Sequence, residues 1–187
     1  MDEIAKPSGK AGATQPWSLK IYNVFKEFHV RHVAYVPDSG HSELIRRAEG
    51  DQEMRALALT SEEEGVALLS GAWLGGERGA LLMQSSGVGN CVNMLSLVKL
   101  CRIPFLTLVT MRGEWGEFNP WQAPMGAAAQ RALELMDVHV LRASRLDEIE
   151  ETVRAGAAMA FEGGAPVAVL LSQRVIGAKK FAGQETR

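Results

Sequence analysis

Short runs of consecutive apolar residues alternate along this chain with stretches whose apolar positions recur at a helical spacing. Trp17, Ile21, Val24, Phe25 and Phe28 fall on the about 3.6-residue period of a helix. A short apolar run at 34–36 follows and is stopped by Pro37, which reads as the end of a strand. Asp38-Ser39-Gly40 then turns the chain into a second helix, predicted over 41–49. The cycle repeats with strands at 56–59, 79–83, 105–109, 138–141 and 167–171. The helices between them are predicted at 61–73, 89–99, 127–136 and 146–161. Strands that are apolar throughout, alternating with amphipathic helices, predict an α/β fold, a three-layer sandwich with a mostly parallel sheet covered on both faces.

In such sheets the loops leaving the carboxyl ends of the strands line the ligand crevice. Four loops qualify here, at 37–41, 60–64, 84–90 and 110–125, and the polar and glycine-rich residues cluster in them. Residues 1–15 offer little apolar surface and are expected to form a flexible arm. Residues 16–172 make one domain, and 173–187 are a polar tail with no assigned role.

Composition narrows the function classes. The 187 residues are 47% apolar, within the range of globular proteins that bury one substantial core. The 20 basic and 22 acidic residues nearly balance, and no basic stripe with interleaved aromatics occurs, which argues against a nucleic-acid partner. No apolar run approaches the roughly 18 residues needed to cross a bilayer, and the N-terminal stretch lacks the apolar core of a signal peptide, so a cytoplasmic location is expected. Cys91 and Cys101 are read as two reduced thiols in or near the core, and no metal ligand set is expected on this chain.

Each candidate motif has an ordinary structural reading beside a chemical one. Ser61-Glu62-Glu63-Glu64 matches a capping box with Ser61 as N-cap and Glu64 three positions on. Acids in a first helical turn also interact favourably with the helix dipole, so Glu62 and Glu64 need no catalytic explanation. Gly87-Val88-Gly89 can aim backbone N–H groups at an anion or simply make a tight turn. It is no dinucleotide fingerprint, because Val92 stands where a third glycine belongs. Arg112 lies in a long loop and reads either as a solvated charge or as a bidentate anion ligand. Among the histidines, His29, His32 and His139 read as structural, whereas His41 follows the 37–40 turn and is expected to face the crevice.

Together these pieces resemble the pyrimidine-binding domain of thiamine-diphosphate-dependent 2-oxo acid decarboxylases, and among them the sulfopyruvate and phosphonopyruvate decarboxylases. VPDSGHSELI (36–45), TSEEEGVALLSGAWLGG (60–76) and LLMQSSGVGNCVN (81–93) carry the resemblance, with MRGEWGEFNPWQAPMG (111–126) similar to the substrate-side loop. The resemblance implies that Glu63 hydrogen-bonds N1′ of the aminopyrimidine ring as the catalytic carboxyl. Sharing its proton there favours the imino tautomer that deprotonates thiazolium C2, and the cationic ring later accepts the electrons released as carbon dioxide departs. Apolar surroundings from Leu68 and Leu69 are expected to raise the Glu63 pKa. By the same resemblance, Ser86, Gly87 and Asn90 pack beside the pyrimidine ring. Asp38, Ser39 and His41 form the substrate-side turn, and Arg112 and Gln122 meet the anionic groups of the substrate.

The family holds the diphosphate and its Mg²⁺ on a domain bearing Gly-Asp-Gly, which occurs nowhere in this chain. The resemblance therefore implies a heteromer, α₂β₂ or larger, in which a beta subunit binds the diphosphate and Mg²⁺ and thiamine diphosphate is shared across the interface. The implied reaction converts 3-sulfopyruvate to sulfoacetaldehyde and carbon dioxide. Phosphonopyruvate or another anionic 2-oxo acid is the alternative substrate. A non-catalytic, partner-binding domain of the same fold and a flavodoxin-like binding module are the remaining readings.

Overall fold

Six strands form a single parallel sheet in this computed structural model, which describes residues 16–177. The expected arm at 1–15 and the part of the expected tail at 178–187 lie outside the described residues. In chain order the elements are α1 (Trp17–Glu27), β1 (Val30–Tyr35), α2 (Ser42–Glu49), β2 (Arg55–Ala58), α3 (Glu62–Leu74) and β3 (Arg78–Gln84). They continue with α4 (Ser85–Cys91), α5 (Leu95–Cys101), β4 (Phe105–Thr110), a 3-10 turn (Pro120–Gln122), α6 (Ala123–Leu135) and β5 (His139–Ala143). Last come α7 (Ile149–Phe161), β6 (Pro166–Leu171) and the short α8 (Gln173–Ile176). The sheet order is β2-β1-β3-β4-β6-β5. The chain thus moves outward from β1 to β2 and returns past β1 to β3, which opens a crevice at the carboxyl ends of β1 and β3.

The period-2 pattern of the strands decides which helices cover which face. Ala80 and Leu82 of β3 pack with Phe25 of α1, Leu44 of α2 and Val153 of α7 on one face. Leu81 and Met83, one residue out of phase, pack with Val66 of α3, Val88 of α4, Leu95 of α5 and Leu133 of α6 on the other. The same alternation runs through β6, with Val167 and Val169 on the first face and Ala168 and Leu170 on the second. Each fully buried aliphatic side chain contributes roughly 1.5–3 kcal/mol, so the two faces clamp the sheet between helical layers. The fold class is α/β, as the pattern predicts.

Four local expectations are corrected. The segment expected as a loop at 84–90 is mostly helix α4, because burial of Val88 and Cys91 outweighs the poor helix propensity of two glycines. The helix expected at 89–99 is instead two short helices, and the turn between them re-aims α5 so that Leu95 and Val98 are buried. Helix α6 starts at Ala123, four residues early, because Pro124 occupies the first turn, where a missing N–H costs nothing. Finally, the polar tail begins with helix α8, whose first residue, Gln173, is fully buried. Of the two thiols, Cys91 lies in the core and Cys101 is on the surface.

Candidate active site

The start of α3 presents three carboxylates in three directions, since successive helical residues are rotated by about 100°. Ser61 is the N-cap residue in extended backbone, but its hydroxyl donates to Glu63 Oε2 and accepts nothing from the helix. The reciprocal half of the expected capping box is displaced by one residue: Glu64 Oε2 accepts the Thr60 N–H at 2.9 Å. Glu63 is half-buried, and the Ser61 hydroxyl and a backbone N–H hold its carboxyl below the ordinary range. The expected upward shift is thus absent in the chain by itself. Leu69 is turned into the core rather than over this carboxyl, and the side chain meets hydrogen-bond donors instead.

Glu62 is the carboxylate that meets α4. It is 8% exposed, and Asn90 Nδ2 donates to its Oε2 at 2.8 Å. A Cβ on Gly87 would lie 2.3 Å from Glu62 Oε1, so only glycine permits this approach. Gly87 and Asn90, both expected beside the pyrimidine ring, therefore converge on Glu62 in this chain, with the half-buried Glu63 adjacent. Ser86 is half-buried and donates to Gln84 Oε1 at 3.1 Å.

At the centre of the carboxyl edge is a crevice of about 100 Å³ between Asp38, Ser39 and Gly40 on one side and Thr110 and Arg112 on the other. Ile176 and Gly177 complete its lining. Asp38 accepts hydrogen bonds from Thr110 Oγ1 at 2.6 Å and Gln84 Nε2 at 3.2 Å. Burial pushes the Asp38 carboxyl up, but these donors and the His41 ring overcome it and hold it below the ordinary range. Asp38 is therefore an ionised, tightly oriented carboxylate. His41 does not reach the crevice surface as expected. Its ring is wholly enclosed, Nε2 donates to the Leu108 carbonyl at 3.1 Å, Nδ1 has no partner, and burial lowers its pKa.

Arg112 lines the crevice but already holds an anion. Its Nε and Nη2 meet Glu117 at 2.5 and 2.7 Å, with both side chains under a tenth exposed. That pair pulls the Glu117 carboxyl down to about 2. Gln122 stands apart from the crevice lining, with a buried Oε1 that has no partner. The loop folds back sharply at Gly113, where φ is +77° and a Cβ would strike the Gln122 carbonyl at 2.2 Å.

Sequence reasoning passed over Gln173, the residue that fixes this loop. Its Oε1 accepts the Glu114 and Trp115 N–H groups, each at 3.1 Å, and its Nε2 donates to Glu117 at 2.9 Å. The signal was present, because Gln173 follows a strand at its carboxyl end as the four selected loops do. Thr110 and Gln84, which orient Asp38, were missed for want of any pattern linking them to it.

Among the described residues no three His, Cys, Asp or Glu side chains converge as a metal site, and no helix is long and apolar enough to cross a membrane. No protein-family model matches the chain. It is 32% identical over 155 residues to the sulfopyruvate decarboxylase subunit alpha of Methanococcus maripaludis, covering 82% of this chain and 93% of that protein. The subunit alpha of Methanocaldococcus jannaschii is 31% identical over 154 residues, with 82% and 91% covered. Phosphonopyruvate decarboxylase of Streptomyces viridochromogenes is 37% identical over 150 residues, covering 79% of this chain but 38% of that longer protein. In fold, the chain matches 2-oxoglutarate:ferredoxin oxidoreductase from Magnetococcus marinus with a TM-score of 0.67 at 14% identity, over 92% of this chain and 34% of that one. The name subunit alpha implies a partner subunit for these relatives. Sharing this architecture and nearly the full length of those subunits, the chain belongs to the sulfopyruvate decarboxylase alpha-subunit family.

Proposed function

We propose that this chain is the pyrimidine-binding alpha subunit of a thiamine-diphosphate-dependent decarboxylase that converts 3-sulfopyruvate to sulfoacetaldehyde and carbon dioxide. The observation that carries this reading is the near-full-length identity to the sulfopyruvate decarboxylase alpha subunits. The pyrimidine half of the coenzyme fits the residues present. Gly87 leaves no Cβ between the start of α3 and α4, and Glu63 offers a carboxylate held by the Ser61 hydroxyl and a backbone N–H rather than by a cation. The diphosphate and Mg²⁺ belong on the partner subunit, since no Gly-Asp-Gly occurs in this chain. Bound thiamine diphosphate supplies an electron sink for the carbanion left by carbon dioxide.

The residues of this chain have three tasks. Glu63 holds and returns a proton at the pyrimidine N1′, and Ser61 orients it for that task. Apolar cover from the partner would move its pKa upward toward the working range. Asp38, fixed by Thr110 and Gln84, orients the reacting end of the substrate. Arg112, already paired with Glu117, holds the loop that walls the crevice. The test is co-purification with a beta subunit and assay of carbon dioxide release. The chain alone should be inert, the complex active, and Glu63→Gln should lower kcat by about 10²–10⁴-fold, the usual worth of a positioned acid–base group. Full turnover by that variant would remove Glu63 from its role. The 37% identity to phosphonopyruvate decarboxylase supports a second substrate reading, and kcat/KM for the two acids measured side by side decides between them.

A further inference from the structure

Beyond the crevice, the same edge of the sheet carries a second opening of about 460 Å³ where β5 and β6 end. Its walls hold three guanidinium groups, those of Arg142, Arg145 and Arg174, against a single carboxylate, Glu114. Ser144 and Ser172 add hydroxyls between them, and Trp115 forms an aromatic wall. The arginines differ in how they are engaged. Arg142 Nη1 meets Glu114 Oε2 at 2.7 Å, so a carboxylate from the chain already shows which chemistry this wall accepts. Arg145 pairs with Asp147 and Glu148, which lie outside the lining, through contacts exposed enough to exchange readily for another anion. Arg174 stacks on the Trp115 ring at 5.6 Å, and among the described residues its guanidinium has no carboxylate partner.

We propose that this cleft binds a tetrahedral oxyanion of the phosphate or phosphonate type, held by Arg142, Arg174 and Arg145. Guanidinium groups lining one opening suit such an ion because each can present two parallel N–H donors to two of its oxygens. The volume exceeds that of the bare ion, so an organic stem can lie against Trp115. The site shares no lining residue with the crevice of Asp38 and Arg112, α8 giving Ile176 to that crevice and Arg174 to this cleft. It stands whether or not Glu63 is the catalytic carboxyl. The two openings are nonetheless joined, because Glu114 also accepts the Gln173 N–H at 2.9 Å, and Gln173 holds the crevice loop.

Trp115 provides the readout. The purified full chain is titrated with inorganic phosphate and with methylphosphonate while tryptophan emission is followed, and sodium chloride serves as the control at matched ionic strength. A saturable change that disappears in Trp115→Phe is expected, with affinity weakened about tenfold or more in Arg174→Ala and in Arg142→Gln. Arg174→Ala keeps the test sound if Arg142→Gln disturbs the loop by freeing Glu114. Saturation by either tetrahedral anion supports the site, and the tighter of the two identifies whether the cognate ion is free or carried on an organic stem. Three results overturn the proposal: no saturable change, an equal change with chloride, or undiminished affinity in both arginine variants.

Discussion

Glu62, Gly87 and Asn90 show how a single contact decides between neighbouring residues of the same kind. The carboxyl of Glu62 is turned inward, packed flush on the Gly87 backbone and held by the Asn90 amide, so its neighbour Glu63 is left facing outward. A methyl group at position 87 would sit 2.3–2.6 Å from three atoms of Glu62, including its Cγ, so the clash cannot be relieved by swinging the tip alone. Gly87→Ala should therefore destabilise the fold by about 1–3 kcal/mol, the usual cost of overpacking. A lowered urea midpoint with unchanged m-value is the expected reading, and an unshifted midpoint would show that α4 can slide to make room. The choice among Glu62, Glu63 and Glu64 could not be read from spacing, because all three satisfy the first-turn preference for acids. The proposed role of Glu63 rests on resemblance to the family motif, while the inward role of Glu62 depends on a glycine 25 positions away in sequence.

Between β4 and α6 the long loop is braced by α8. Gln173 is fully buried and spends both amide atoms on that loop, while its own N–H goes to Glu114. Replacing Gln173 by Ala would remove the partner of the part-buried Glu114 and Trp115 N–H groups, at a cost of roughly 0.5–1.5 kcal/mol for each hydrogen bond lost. The loss should be local. Amide exchange at Glu114 and Trp115 is expected to accelerate while Leu108 in β4 keeps its protection, and unchanged exchange in the loop would mean that the Arg112–Glu117 pair suffices. The strands were legible in the sequence because each is a short run of apolar residues with one face per helical layer. This brace was not, because a glutamine after a strand looks the same whether it is solvated or buried. Helix α4 was hidden for a related reason, since glycine-rich local sequence argues for a loop and only packing of Val88 and Cys91 against α3 and α6 reverses the preference.

Over the whole molecule, titratable groups that folding has displaced from their ordinary values set the response to acid. His41 is buried with its pKa lowered from 6.5, burial outweighing the nearby Asp38 carboxylate and the Leu108 and Met83 carbonyls that pull it upward. The unfolded chain gains this proton first, so the contribution of neutral His41 is complete above pH 6.5 and is lost as pH falls below it toward the folded value. Asp51, held chiefly by Lys26, and Glu117, held chiefly by Arg112, both titrate at about 2 in the folded state. Their ordinary values are 3.8 and 4.5, so their stabilisation is present above those values and drains away only as pH falls toward 2. Acid should thus weaken the fold in two stages, a shallow decline beginning near pH 6.5 and a steeper one below 4.5. His41→Gln can still donate to the Leu108 carbonyl but cannot titrate. Thermal midpoints measured from pH 7 to 5 should fall for the native chain and stay nearly level for this variant, with the steep stage below 4.5 common to both. An identical decline in the two proteins would assign the upper stage to a group other than His41.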